Sequence, residues 1–155
     1  MANKNNLVRQ VGGKKTLSYP ILSDGTYDIY QGDMVYFDTS AKVVKPVASN
    51  ANAQYLAGVA AQPSFVNVYG TKKYVAGLQV LVGNIHSMGT VAGQTYAHGD
   101  ALYYSTDAQT VTPTDPGSGN IVGHVWLKDG QAAVAGASGT EVECLMIAQY
   151  PFKFA

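Results

Sequence analysis

The chain has 155 residues and a formal net charge of zero. That length suits one domain, long enough to bury about 70% of the surface an unfolded chain exposes. Zero net charge excludes the electrostatic footprint of a nucleic-acid coat, and a single cysteine excludes an internal disulfide. Only 13% of residues are charged, against about 25% in an ordinary soluble domain. Tyrosine, glycine and small polar residues replace the missing charge, a composition suited to packing against other chains.

Residues 1–18 carry Lys4, Arg9, Lys14 and Lys15 with no acid before Asp24. No apolar run follows Lys4, so no signal peptide is expected, and no stretch approaches the roughly 20 apolar residues of a membrane span. Such a polar segment reads either as a solvated tail or as an N-terminal arm ordered only on a partner, ahead of a single β domain over 19–155. Pro20 excludes a helix across Ser18 and Tyr19. The stretch from Gly32 to Thr39, Gly-Asp-Met-Val-Tyr-Phe-Asp-Thr, then recurs without a gap from Gly99 to Thr106 as Gly-Asp-Ala-Leu-Tyr-Tyr-Ser-Thr, an offset of 67. Later glycines, Gly58 and Gly123, repeat at an offset of 65. Each Gly-Asp reads as a turn launching a strand, and the duplication predicts two similar β units around one core.

A returning strand is expected at Val43–Val47, a weak helix at Ser49–Ala53, and a strand at Tyr55–Ala61. The segments 65–69 and 74–77 should form a hairpin with a basic tip at Lys72 and Lys73. Ala76, Leu78, Val80 and Val82 alternate as the inward face of a central strand. The segment Thr114–Asn120 reads as a loop, and three more strands follow to Ile147. Val35, Phe37, Leu102, Leu78, Val80 and Val82 are expected in the core. Almost pure β structure results, as a small barrel or compact sandwich.

Candidate chemistry is sparse. Asp33 and Asp100 could pair as carboxylates, and His86, His98 and Asp100 could ligate a metal. Neither set has the spacing of a zinc or calcium loop, and the repeated turns account for both aspartates. Cys144 reads as a buried small hydrophobe and His124 as a structural imidazole. Tyr103-Tyr104 lacks the basic groove that single-stranded nucleic acid needs. No cofactor, metal site or catalytic residue is expected.

The run Gly-Asp-Met-Val-Tyr-Phe-Asp, then Leu56-Ala-Gly-Val-Ala60, a long apolar strand and Ala97-His-Gly-Asp-Ala-Leu-Tyr-Tyr-Ser105 resembles the cement, or decoration, proteins of tailed-bacteriophage heads. The likeness spans about residues 27–127 and leaves out the tail Tyr150–Phe154. It implies a small β-barrel behind an extended arm and a non-enzymatic virion protein on the outer capsid surface, made in the host cytoplasm. The implied partners are the major capsid protein and further copies of the chain, as a trimer. The arm residues expected to touch the capsid are Val8, Val11 and Leu17 as apolar anchors and Lys4, Arg9, Lys14 and Lys15 as cations. The competing reading is a β-barrel module that binds carbohydrate or another surface ligand through exposed tyrosines.

Overall fold

The computed structural model describes residues 1–11 and 15–148. Lys14 and the tail from Tyr150 lie outside them. Among the described residues the fold is all-β with antiparallel strand ladders and an isolated parallel bridge between Gly89 and Thr110, and one short 3-10 helix, Asn52–Tyr55, overlaps the end of the weak helix expected at Ser49–Ala53. No helix is long and apolar enough to cross a membrane.

The first half supplies β2 (Thr16–Tyr19), β3 (Met34–Asp38), β4 (Val43–Pro46), β5 (Leu56–Ala60), the hairpin β6 (Phe65–Val68) and β7 (Thr71–Tyr74), and β8 (Leu78–Leu81). The second supplies β9 (Ile85–Gly89), β10 (Thr95–Tyr96), β11 (Ala101–Tyr104), β12 (Val111–Thr112), β13 (Gly123–Val125), β14 (Val134–Ala135) and β15 (Glu141–Met146). β1 (Leu7–Arg9) precedes both. One sheet runs β2-β8-β5-β3-β4 and the other β1-β9-β15-β13-β11-β12. Apart from β1 the two orders are the same under the exchange of β2 for β9, β8 for β15, β5 for β13, β3 for β11 and β4 for β12.

Registers repeat with the order. Phe37 faces Val44 as Tyr104 faces Val111, and Ala60 faces Val80 as Val125 faces Cys144. The launching turns match atom for atom. Tyr30 N donates to an Asp33 carboxylate oxygen at 2.9 Å, as Ala97 N does to Asp100. Gly32 N and Gly99 N reach Ala60 O and Val125 O, whose own residues donate back to Asp33 O and Asp100 O. Gly32 and Gly99 take φ of +93° and +87°, which a side chain would strain.

Packing completes the pseudo-repeat. The first sheet encloses Tyr19, Ile29, Val35, Val44, Ala57, Ala60, Leu78 and Val80. Their counterparts Met88, Tyr96, Leu102, Val111, Val122, Val125, Val142 and Cys144 are all buried together in the second. Each set of five corresponding strands curls until its first and last members approach, through Val44 N to Pro20 O at 3.0 Å in one and Gly89 N to Gln109 O at 2.8 Å in the other. Neither edge contact grows into a ladder, so each unit is a curled open sheet rather than a closed barrel.

The strand alternation holds, and Met34, on the face of β3 opposite Val35, is fully buried with Leu56 and Val59 against the second unit. The first sheet therefore packs on both faces, and β5 is buried throughout. Phe37 is only half-buried, packed at the margin of its cluster. β8 begins at Leu78: Ala76 sits exposed in the bend before it, and Val82 is half-buried beyond its end.

Both strands described within the first 19 residues are paired with the body. β1 pairs with β9 and β2 with β8, so this stretch forms one edge of both sheets. Its polar side chains serve backbone groups that would otherwise lie unpaired, which is how so polar a segment becomes ordered on the body.

Candidate functional site

The N-terminal segment crosses the junction of the two units, and its contacts define the candidate surface. Lys4 N donates to Gln31 O at 2.8 Å, Gln31 N to Asn3 Oδ1 at 2.9 Å, and Gln109 Nε2 to Ala2 O at 2.9 Å. Lys4 O passes so close to Gly32 that a Cβ there would lie 2.6 Å away, whereas Gly99 has open space. The first Gly-Asp turn is thus also a seat for the segment. Asn6 is 4% exposed and acts as its plug. Its Nδ2 donates to Gly32 O at 3.0 Å, and its Oδ1 lies 3.0 Å from His86 Nδ1 on β9.

Two buried ionisable groups flank the plug. Burial pushes the Asp33 carboxyl up to about 6, against the opposing pull of Tyr30 N and of Gln109 Nε2 at 2.8 Å. Burial lowers His86 to about 4, so the imidazole is neutral at pH 7. His86 Nε2 has no hydrogen-bond partner among the described residues.

Of the arm residues expected at a capsid contact, Lys4 pairs with Glu141 at 2.5 Å. Val8, Val11 and Leu17 stay 45%, 44% and 43% exposed. Arg9 and Lys15 are exposed and join none of the ion pairs among the described residues. Leu17 lies on the β2 edge, while Val8 and Arg9 lie on the β1 edge. The six of these residues that the structure describes are not gathered into one site.

Candidate catalytic groupings are dispersed. Asp33 and Asp100 cap equivalent turns in different sheets. His86 is sealed behind Asn6, while His98 Nδ1 accepts from Leu127 N at 3.0 Å. Among the described residues no three His, Cys, Asp or Glu side chains are placed to hold a metal.

A groove that residue spacing alone did not single out lies along β1. Arg9, Gln10, Val11, Ile85, Trp126 and Leu145 line a cavity of about 380 Å³. Past Arg9 and Trp126 it continues into a second of about 460 Å³ that adds His98, Lys128 and Asp129. Trp126 is 39% exposed and its ring is packed on His98, centroids 4.9 Å apart. Arg9 and Trp126 are 117 positions apart, so only their pairing through β9 and β15 brings them together. Comparison with protein-family models and with curated proteins finds no match for this chain.

Proposed function

We propose that this chain is a non-enzymatic decoration protein that binds the outside of a bacteriophage head and braces neighbouring major capsid subunits. The observation that carries the reading is the outer edge. The first 19 residues supply one edge strand to each sheet, and those edges present Val8, Val11 and Leu17 to solvent beside the cations Arg9 and Lys15. Exposed strand edges bearing apolar side chains join other chains by backbone pairing, and a capsid lattice offers extended segments to pair with. The resemblance of the two Gly-Asp units to decoration proteins supplies the partner, and the low charge suits a life within an assembly. The contact is an edge surface on the body, with Lys4 committed to Glu141.

Cosedimentation with assembled shells and with unassembled capsid subunits tests this. The wild type should pellet with shells and ignore free subunits. Val8→Asp with Leu17→Asp should lose at least tenfold in shell affinity while keeping the fold by circular dichroism. Equal binding of wild type and double variant, or no binding to shells at all, refutes the assignment.

A second reading rests on Trp126. A flat exposed indole in a groove that also holds Arg9, His98 and Asp129 has the make-up of a small-ligand platform, apolar with a few polar groups. It predicts saccharide binding that quenches Trp126 fluorescence without any shell.

A further inference from the structure

The two halves depart from their pseudo-repeat in the segment after β5 and after β13. In the second half the chain forms β14, which pairs with β10. In the first half the chain instead forms β6 and β7, a two-stranded sheet of its own. One face of this hairpin is held down. Tyr74 Oη donates to Asp28 at 2.8 Å, Lys72 pairs with Asp28 and lies over the Phe65 ring, and Phe65 meets Tyr30 edge-on. The other face, with Val66, Val68 and Lys73, is open to solvent, and Lys73 joins none of the described ion pairs.

The tip is Tyr69-Gly70, both at positive φ, +48° and +78°. Asn-Gly suits such a two-residue turn, and a tyrosine there is strained. Tyr69 is also fully exposed, so no contact with the described residues offsets the strain. A large aromatic fully exposed at a strained tip has the form of an interface anchor.

We propose that the chain associates head-to-tail with a second copy of itself, the Tyr69 tip of one copy seating in the Trp126 groove of the next. The groove has the complementary chemistry. Trp126 is pre-set by His98 and offers its ring, Arg9 has no carboxylate among the described ion pairs and can stack on a phenol, and Ile85 and Leu145 form an apolar floor. Asp129 on the rim can meet Lys73, which shares the exposed face with Val66. Tip and groove are different surfaces, so the contact is heterologous and gives a ring or a chain of copies. It goes beyond the capsid reading above and does not rest on it.

The full chain tests it, since Trp126 is its single tryptophan. Sedimentation velocity over rising concentration should show association, accompanied by a change in Trp126 emission. Tyr69→Gly, which relieves the strained φ, and Trp126→Ala should each weaken self-association at least tenfold while circular dichroism stays native. An equimolar mixture of the two variants should recover one contact, because the tip of the tryptophan variant meets the intact groove of the tyrosine variant, and should stop at a heterodimer. A wild type monomeric at every concentration, association that survives Tyr69→Gly, or a mixture that stays monomeric each overturns the proposal. Shell decoration by a wild type that does not self-associate would also overturn it, while leaving the capsid reading in place.

Discussion

Replacing Asn6 by alanine is the most direct test of how the N-terminal segment is held. The change removes both polar atoms of the plug, leaving Gly32 O and His86 Nδ1 without their partner in a region where Asn6 is 4% exposed and His86 fully buried. A buried donor or acceptor left unmade costs about 1–3 kcal/mol. With the small void added, the total should fall at about 2–5 kcal/mol, a large share of the 5–15 kcal/mol typical of a domain. Asn3→Ala is the matched control, since its bond to Gln31 N is exposed and its loss should cost less than about 1 kcal/mol. Urea unfolding followed by far-ultraviolet circular dichroism measures both. Hydrogen exchange at Leu7–Arg9 and at their partners on β9 then tells local release of β1 from global loss. If Asn6→Ala is no less stable than Asn3→Ala and the β1 amides stay equally protected, the plug does not hold the segment and the reasoning fails.

Deletion of residues 1–16 should lower the melting temperature clearly, because it removes β1, the plug and the start of β2; an unchanged midpoint in calorimetry would contradict the pairing described. Gly58→Ala and Gly123→Ala should each destabilise by about 3 kcal/mol or more in urea titrations, since the added methyl would lie 2.2 Å from Leu81 O and 2.6 Å from Leu145 O. Lys4→Ala should cost no more than about 1 kcal/mol, as its partner Glu141 is largely solvated. Titration gives a fourth check. His86, at about 4 when folded and near 6.5 unfolded, binds fewer protons in the native state, so it makes stability rise with pH across that window. Asp33, at about 6 when folded and near 3.8 unfolded, binds more, so its contribution is complete below about 3.8 and is lost as pH rises through 6. The two slopes oppose each other, and Asp33→Asn should therefore steepen the gain in stability between pH 4 and 6.5; a flatter profile would reverse the assignment.

The repeated Gly-Asp turns were legible because the turn chemistry needs glycine and aspartate themselves at each position. The third correspondence, β2 with β9, was not. Thr16-Leu-Ser-Tyr19 and Ile85-His-Ser-Met88 share only a serine, because a strand position asks for an extended backbone and not for particular residues. Strand alternation could not show that Met34 is as buried as Val35, since burial of the second face depends on the other unit arriving there. The pairing of β1 and β2 with the body was hidden for a related reason. Asn6 looks like a solvated residue until the carbonyl of Gly32 and the ring of His86, 26 and 80 positions away, are seen to surround it. Tyr69 and Trp126 could be read as exposed aromatics, yet the strain at one and the groove at the other exist only in the folded backbone.

Cys144 occupies in the second unit the inward position that Val80 holds in the first, with burial raising its thiol far above the usual range. In the native chain an alkylating reagent therefore meets neither an accessible sulfur nor a thiolate. Labelling can proceed only when the β13–β15 ladder opens. Because the chain has a single cysteine, the rate at which a maleimide consumes it is a stopwatch on that opening, readable by mass in dilute solution and equally inside a crowded assembly where optical methods fail.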